Sequence, residues 1–202
     1  MMVALIDYDA GNVKSVEKAV EHLGYTALLT HDRSDLLNAD SVILPGVGAF
    51  GDACSRLDEY EITPVIREVV EAGIPFLGIC LGLQLLFEDS EESPGVPGLG
   101  LVGGHIRRIP DVGLKVPHIG WNSLKFPHSG RMFKGIEEGA YVYFVHSYFL
   151  EASDPDVVTA TTEYAAHIHA AIEKDNVFAV QFHPEKSSDT GLKMLANFLE
   201  IR

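Results

Sequence analysis

Apolar runs of strand length alternate with helical patterns over residues 1–90. Four short runs, at residues 3–8, 25–30, 41–44 and 75–79, are largely apolar, and turn-forming residues follow them. Between them, apolar residues recur every three or four positions, as on one face of a helix; residues 13–23 show this pattern, and Gly24 ends it. Thr63 and Pro64 are typical of an N-cap and a first helical position, so we expect the next helix to begin there. The alternation predicts a mostly parallel sheet with helices on both faces.

The second half of the chain has a different pattern. From residue 100 to 180 the apolar runs are short, favour β-structure and are separated by glycine and proline turns; examples are 141–145, 157–161 and 177–182. They predict hairpins and an antiparallel β extension of the same sheet. Residues 189–199 predict a closing helix, and residues 88–100 a loop. Because no repeat or linker-like stretch is evident, we expect residues 1–202 to form a single α/β domain.

Composition narrows the classes of function. The 202-residue chain is 47% hydrophobic and has a net charge of −14, so it can fill a core but lacks the basic surface of a nucleic-acid binder. An acidic surface can still dock on a basic protein partner. No run approaches the roughly 20 apolar residues of a membrane span, and the N-terminus has no basic start typical of a signal peptide. Two cysteines are too few for a disulfide framework, so we expect a reducing, cytoplasmic setting.

One of the cysteines lies in a turn that suits a catalytic nucleophile. Cys80 directly follows a predicted strand and precedes a helical pattern, with Gly78 and Gly82 two residues to either side. Such glycines permit a tight strand-to-helix turn that presents the sulfur at the carboxyl end of the sheet and at a helix N-terminus, where a thiolate is favoured. On this turn alone, a buried structural cysteine remains an equal alternative. Cys54 lies within a helical pattern, and we interpret it as structural.

A base and its orienting group follow another predicted strand. His183 comes directly after the apolar run 177–182, and Pro184 and Glu185 follow it. Proline stiffens the turn, and Glu185 can then contact one imidazole nitrogen and leave the other for the thiol. Cys80, His183 and Glu185 would together form a cysteine triad.

Such a triad also needs backbone donors for an oxyanion. The amide of Leu81, the residue after the nucleophile, is one candidate. The turn Pro45-Gly46-Val47-Gly48 ends a neighbouring predicted strand, and its amides, with Val47 first and Gly48 beside it, are candidates for the second donor. An ordinary strand-terminating turn is the alternative, but parallel sheets bind ligands at this end of their strands.

These motifs resemble those of the class I (triad) glutamine amidotransferases. Within that family, the chain looks most like the glutaminase subunits of imidazole glycerol phosphate synthases, and the likeness runs from Asp7 to Ser187. It rests on the turn at 45–51, Cys80 to Phe87, His118-Ile119-Gly120-Trp121-Asn122, Tyr143 to Tyr148 and Gln181 to Ser188. The resemblance implies a flavodoxin-like three-layer sandwich.

The resemblance also implies an activity and a division of roles. Cys80 would attack the side-chain amide of L-glutamine, His183 with Glu185 would move protons, and water would hydrolyse the resulting thioester to glutamate. Positions that contact glutamine or shape its pocket correspond to Gln84, His146, Ser147 and Tyr148. The family needs no cofactor and no metal. Its partner is a (β/α)8 barrel cyclase subunit, which receives the ammonia and makes imidazole glycerol phosphate and aminoimidazole carboxamide ribotide in histidine biosynthesis. Positions at that interface correspond to Asn12, Trp121, Tyr143 and Lys186.

Two departures and two alternatives accompany this interpretation. Residues 164–169 and the turn at 9–11 differ from the glycine-rich segments frequent in the family, which affects loop shape rather than the triad. The first alternative is a glutaminase of another synthase, of the anthranilate or pyridoxal phosphate type; Leu83 and the 118–122 element favour histidine biosynthesis instead. The second is a reactive-cysteine sensor without enzymatic activity, which would need neither His183-Pro184-Glu185 nor Gln84.

Overall fold

The computed structural model describes residues 1–201, and a mixed sheet dominates it. The ten strands of this sheet and a separate two-stranded hairpin are, in chain order, β1 Met2–Ile6, β2 Thr26–Thr30, β3 Ser41–Gly46, β4 Phe76–Cys80, β5 Asp89–Ser90, β6 Gly104–Arg108, β7 His118–Ser123, β8 Tyr141–His146, β9 Tyr148–Ala152, β10 Val158–Tyr164, β11 Ala166–Lys174 and β12 Val177–Val180. The six α-helices are α1 Val13–His22, α2 Arg33–Leu37, α3 Phe50–Glu59, α4 Ile62–Glu71, α5 Leu81–Leu85 and α6 Ser188–Leu199, and short 3₁₀ turns cover Arg131–Phe133, Pro155–Val157 and Pro184–Lys186.

Strand order explains how distant motifs meet. The sheet runs β2-β1-β3-β4-β12-β11-β9-β6-β5, with β10 paired to β11 and the hairpin β7–β8 separate from it. The first five strands in this order are mutually parallel, and the remainder adds mainly antiparallel pairs. This confirms the predicted α/β class with its antiparallel extension. The parallel half of the sheet is largely buried, because helices cover both of its faces.

The parallel half differs from the prediction at one strand. We expected residues 177–182 to belong to the antiparallel extension, whereas β12 pairs in parallel with β4 on one side and antiparallel with β11 on the other. The prediction failed because a run of four apolar residues is equally compatible with parallel and with antiparallel pairing. The consequence is that the carboxyl ends of β12 and β4 lie side by side.

Two apolar clusters pack on opposite faces of the sheet. Alternate residues of β1 show the division, since Ala4 and Ile6 belong to one cluster while Val3 and Leu5 belong to the other. The first cluster includes α3 and α4, through Leu57, Ile62, Val65, Ile66 and Val69. The second includes α1 and α6, through Val13, Val16, Val20, Met194, Leu195 and Phe198. This three-layer arrangement confirms the predicted sandwich.

Helix α4 begins earlier than the sequence suggested. Glu61 occupies the N-cap position with a left-handed φ of 55°, and Thr63 and Pro64 are the second and third residues of the helix. Thr63 donates its hydroxyl proton to Asp58 instead of capping the helix. Proline is tolerated there because the amides of the first turn have no partner within the helix. Within residues 1–201, no helix is both long and apolar enough to cross a membrane.

Candidate active site

The turn between β4 and α5 forces Cys80 into an unusual backbone conformation. Its φ and ψ are 57° and −107°, a strained combination for a residue with a side chain. The flanking glycines are required by space: a Cβ on Gly78 would lie 2.6 Å from the carbonyl oxygen of Gly82, and one on Gly82 would lie 1.9 Å from that of Leu44. The crowding expected from the sequence is therefore present, and the turn presents the sulfur where the parallel strands end.

Besides the imidazole of His183, two polar groups lie near the sulfur of Cys80. The amide nitrogen Nε2 of Gln181 lies 3.8 Å from Sγ and donates to it, and the carbonyl oxygen of Val145 lies 4.0 Å away. Helix α5 has only five residues, so its dipole contributes less to a thiolate than the sequence suggested. Nearby donors and charges must therefore provide most of that stabilisation.

His183 and Glu185 form a buried pair beside this sulfur. Nδ1 of His183 lies 2.9 Å from Oε1 of Glu185, and their side chains are only 1% and 0% exposed. The opposite nitrogen, Nε2, is buried and has no hydrogen-bond partner among the described residues. Burial lowers the pKa of His183, but the thiol of Cys80 and the carboxylate of Glu185 raise it more, to about 9. At neutral pH the ring is thus an imidazolium, able to stabilise a thiolate and to give up a proton.

The proposed oxyanion turn lies beside the nucleophile. Strands β3 and β4 place Gly46 opposite Cys80, so Val47 and Gly48 follow at the same edge of the sheet. The hydroxyl of Tyr8 donates to the carbonyl of Pro45 over 2.9 Å and fixes the start of this turn. A Cβ on Gly46 would lie 2.5 Å from that hydroxyl, so only glycine fits here. The sequence had assigned no role to Tyr8.

A cavity of about 290 Å³ opens next to Cys80. It brings together Cys80, every residue that the sequence proposed for the oxyanion and for glutamine, and three others; its lining is Val47, Gly48, Cys80, Leu81, Gln84, Glu92, Pro117, Val145, His146, Ser147 and Tyr148. A cavity of this size suits a small, flexible substrate. These residues come from five separate parts of the chain, so the cavity depends on the complete fold.

Two polar residues near the cavity were missed by sequence reasoning. Gln181 is fully buried, and its Oε1 accepts from Nε2 of Gln84, which also donates to the carbonyl of Tyr148; both distances are 3.1 Å. A buried polar residue at the end of an apolar strand, two positions before His183, was the available signal. Glu92 lines the cavity, and its Oε2 accepts from the amide of Phe50 over 2.8 Å. Nothing in the sequence separates Glu92 from the other acids of its loop.

A second pair of histidines supports the wall of the cavity. Nδ1 of His146 lies 2.8 Å from the carbonyl oxygen of Tyr148, and Nε2 of His146 lies 3.1 Å from Nδ1 of His118. Because a carbonyl only accepts, Nδ1 of His146 carries the proton, and its Nε2 accepts from His118. Both nitrogens of His146 are therefore engaged within the protein. Burial lowers the pKa of His146 to about 3 and that of His118 to about 4, so both rings are neutral.

The departure at residues 164–169 reaches this second pair. Tyr164 stacks on His118 with ring centroids 3.9 Å apart, and Phe144 stacks on His118 as well, at 4.9 Å. The hydroxyl of Tyr164 donates to the carbonyl of Lys115. Ala165 then makes the turn from β10 to β11 with a left-handed φ of 55°. Tyr164 therefore supports the wall of the pocket through His118, and these contacts do not involve Cys80, His183 or Glu185.

The residues assigned to a partner surface lie on elements next to the triad. Trp121 pairs with Tyr143 across the β7–β8 hairpin, with ring centroids 6.2 Å apart. The carbonyl of Tyr143 accepts from the amide of His183, and exposed Lys186 ends the 3₁₀ turn that contains Glu185. Asn12 is the exception in its orientation, because its side chain is directed at Glu185 instead of solvent.

Comparison with known proteins gives a consistent result. The sequence model of the family described as "Glutamine amidotransferase class-I" matches residues 4–201. Proteins named "Imidazole glycerol phosphate synthase subunit HisH" are 51% identical in Moorella thermoacetica, over 98% of this chain and 94% of the relative, and 48% identical in Methanocaldococcus jannaschii, over 99% of this chain and all of the relative. The relative of the same name in Aquifex aeolicus is 49% identical, over 98% and 96% of the two chains.

Solved structures share the fold at lower identity. One described as "Crystal structure of glutamine amidotransferase" has a TM-score of 0.76 at 21% identity and covers 98% of this chain and 99% of its own. One described as "Structure of PurLQS from Thermotoga maritima" has a TM-score of 0.76 at 21% identity, with 98% and 97% coverage. At this identity the likeness concerns the fold alone.

Proposed function

Because this chain belongs to the class-I glutamine amidotransferase family, we propose that it acts as the glutaminase subunit of an imidazole glycerol phosphate synthase. It hydrolyses L-glutamine to glutamate and ammonia, and the ammonia passes to a (β/α)8 cyclase subunit that makes imidazole glycerol phosphate and aminoimidazole carboxamide ribotide. The observation that carries this proposal is the buried His183–Glu185 pair beside Cys80, which lines a cavity together with Gln84 and Tyr148.

The first half of the reaction releases ammonia. The thiolate of Cys80 attacks the amide carbon of glutamine, and the new oxyanion accepts hydrogen bonds from the amide of Leu81 and from the Val47–Gly48 turn. The imidazolium of His183 gives its Nε2 proton to the leaving nitrogen as the carbon–nitrogen bond breaks. Its pKa of about 9 means that this proton is in place at neutral pH. Ammonia and a γ-glutamyl thioester are the products.

The second half returns the enzyme to its starting state. His183 is now neutral and takes a proton from water, which attacks the thioester carbonyl. The thiolate of Cys80 leaves, glutamate departs, and His183 is again an imidazolium. Glu185 keeps Nδ1 protonated throughout, so Nε2 always faces the reacting atoms.

Polar groups at the far end of the cavity recognise glutamine. The carboxylate of Glu92 can bind the α-ammonium group of the substrate, since it is the acidic side chain that lines the cavity. The amide nitrogen Nε2 of Gln84 donates to Gln181 and to the carbonyl of Tyr148, so its Oε1 is the atom that can accept from the substrate. His146 has no free nitrogen and contributes shape.

A partner surface lies beside the triad. Ile119, Trp121 and Tyr141 are 60%, 50% and 60% exposed and project from one face of the β7–β8 hairpin, an unusual density of large apolar side chains for a solvent-facing strand pair. We assign this face to the barrel subunit, with Tyr143, Lys186 and Asn12 at its edge. Ammonia must remain unprotonated to react, and a dry passage between the subunits favours the neutral form. Both cysteines are free thiols, which fits a reducing cytoplasm.

Replacement of the nucleophile tests this division of labour. Cys80→Ala should abolish glutamine-dependent synthesis by the complex and leave ammonia-dependent synthesis intact, because ammonia bypasses the thioester. Cys54→Ala is the matched control and should leave both activities unchanged, since burial raises the pKa of the Cys54 thiol to about 11 and the side chain is not part of the cavity lining. Loss of both activities in Cys80→Ala would contradict the proposal.

A further inference from the structure

The side chain of Asn12 is used in a way that its position in the helix does not explain. Asn12 is the N-cap of α1, where asparagine ordinarily accepts a hydrogen bond from an amide of the first turn. Here it makes no such bond, and its backbone has a left-handed φ of 70°. Asparagine tolerates this conformation better than most residues, although glycine adopts it with less strain. Helix α1 therefore lacks a side-chain cap at Asn12, and the backbone of Asn12 is somewhat strained.

The carboxamide is directed instead at the triad. Nδ2 of Asn12 lies 2.8 Å from Oε1 of Glu185, the same oxygen that takes Nδ1 of His183 at 2.9 Å. A carboxylate only accepts, so the donor end of the amide must face it. The other oxygen, Oε2, is buried without a hydrogen-bond partner among the described residues. Asn12 thus supplies one of the two hydrogen bonds that hold this carboxylate.

We propose that Asn12 is a positioning residue of the triad, which holds the Glu185 carboxylate in the orientation that His183 requires. The side chain of Glu185 is wholly buried, so water cannot replace a lost donor easily, and an anion with a single hydrogen bond is free to rotate. The inference rests on the proposed glutaminase. It differs from a docking role for Asn12, because it acts on the chemistry even when the partner is bound.

The same turn also touches the oxyanion side of the site. A Cβ on Gly11 would lie 2.8 Å from Cγ2 of Val47, so glycine lets residues 9–12 pack directly against that turn. The segment that follows β1 therefore contacts both the Val47 turn and Glu185. Side-chain loss at Asn12 should affect Glu185 specifically, provided that the backbone of this turn is preserved.

Two substitutions separate the side chain from the backbone. Asn12→Gly removes the amide but keeps the left-handed conformation without strain, and Asn12→Asp keeps the shape but turns a donor into an acceptor. Glu61→Gly is the matched control, because Glu61 is also a left-handed helix N-cap without a capping side-chain hydrogen bond. All variants are made in the full chain and assayed with saturating cyclase subunit for the kcat and KM of glutamine hydrolysis.

We expect Asn12→Gly to lower kcat by about 10–100-fold while KM for glutamine stays within about threefold, because geometry and not binding is lost. Near pH 8, Asn12→Asp should have a lower kcat than Asn12→Gly, because two carboxylates then face each other. Near pH 5, its kcat should equal or exceed that of Asn12→Gly, because roughly at that pH one of two adjacent carboxyl groups can take a proton and donate it to the other. Glu61→Gly should match the parent protein. The concentration of cyclase subunit needed for half-saturation is measured in the same assays and should not change in Glu61→Gly, so that any docking contribution of Asn12 is kept separate from the loss of kcat.

An independent measurement removes the dependence on activity. The pKa of the His183 imidazole can be measured by NMR titration in the isolated chain. It should be lower in Asn12→Gly, because the Glu185 carboxylate is held less firmly beside the ring. It should be higher in Asn12→Asp, because a second negative charge lies nearby. A kcat for Asn12→Gly within about twofold of the parent at saturating partner, or an unchanged titration of His183, would overturn the positioning role. A parent protein that failed to hydrolyse glutamine would instead count against the proposed function, and the titration would still decide the role of Asn12.

Discussion

Two pairs of side chains on either side of Cys80 place histidines in opposite charge states. The thiol of Cys80 and the carboxylate of Glu185 together raise the pKa of His183 to about 9. His146 contacts a carbonyl and His118, and neither ring of this pair contacts a carboxylate among the described residues. Their pKa values fall to about 3 and about 4. Burial lowers the pKa of all three rings, so burial cannot explain the difference. The comparison teaches that the groups in contact with a buried histidine, here the thiol of Cys80 and the carboxylate of Glu185, decide whether it keeps its proton.

Removal of the anion should break the comparison most strongly. Glu185→Gln keeps the volume but lets the side chain present an amide to Nδ1, so the imidazole loses both its charge partner and its defined tautomer. We expect kcat for glutamine hydrolysis to fall by about 10³–10⁴-fold, as when a triad loses its orienting carboxylate. NMR titration should show the pKa of His183 moving down towards the values of the other pair. A variant with a normal His183 titration and full activity would refute the assigned role of Glu185.

The pH profile should show only one of the two pairs. In the proposed mechanism, activity needs the imidazolium of His183, whose pKa is raised, so the proton is present below about pH 9 and is lost as the pH rises through that value. We expect kcat/KM to fall by about tenfold per pH unit above this limb. His146 and His118 should contribute no inflection near neutrality. The profile of the complex from pH 5 to 10 tests this, and an inflection near pH 6.5 that vanished in His118→Phe would contradict it.

The neutral pair should appear in stability instead of activity. In the folded protein, the pKa values of His146 and His118 lie below the ordinary 6.5 of histidine. The contribution of the neutral pair to the free energy of unfolding is therefore complete above about pH 6.5 and is lost as the pH falls towards 4. His118→Phe preserves stacking on Tyr164 but removes one of these titrations. We expect a loss on the order of 1–2 kcal/mol at pH 7.5, from the unpaired Nε2 of His146, and a flatter stability curve below pH 6.5. Urea unfolding at several pH values measures both.

The smallest effect should come from an exposed pair with the same chemistry. His167 and Glu163 lie 2.6 Å apart, but their side chains are more than half exposed. Glu163→Gln should change unfolding free energy by less than about 0.5 kcal/mol and leave glutamine hydrolysis unchanged, because water screens the interaction. This variant is the control for Glu185→Gln. A comparable loss of activity in the two would show that distance, and not burial, matters.

Sequence reasoning succeeded where one residue type has one physical use. Glycines around Cys80 predicted the tight turn, because no other residue fits, and alternation of apolar runs predicted the parallel sheet. The order of strands was harder, since a short apolar run such as 177–180 carries no direction. Its placement next to β4 follows only from the packed fold.

The residues missed at the site have ambiguous local signals. Glu92 is one of several acids in a loop, and its place in the cavity depends on a hydrogen bond to the amide of Phe50. Asn12 was assigned by resemblance to the partner surface, and its position just before a helix gave no signal for its contact with Glu185. Assigned roles in glutamine binding and at the partner surface stay predictions.

The insertion of β12 in the middle of the sheet has a consequence for the order of synthesis. Gln181 and Cys80 meet although they lie 101 positions apart, and His183 arrives with the same late strand. A nascent chain that has emerged only as far as β11 has a nucleophile turn but no base, and β4 has an unpaired edge open to aggregation. In the proposed mechanism, glutamine therefore meets a working site only after β12 and the turn that carries His183 have left the ribosome and docked, which ties activity to a strand made long after the nucleophile turn.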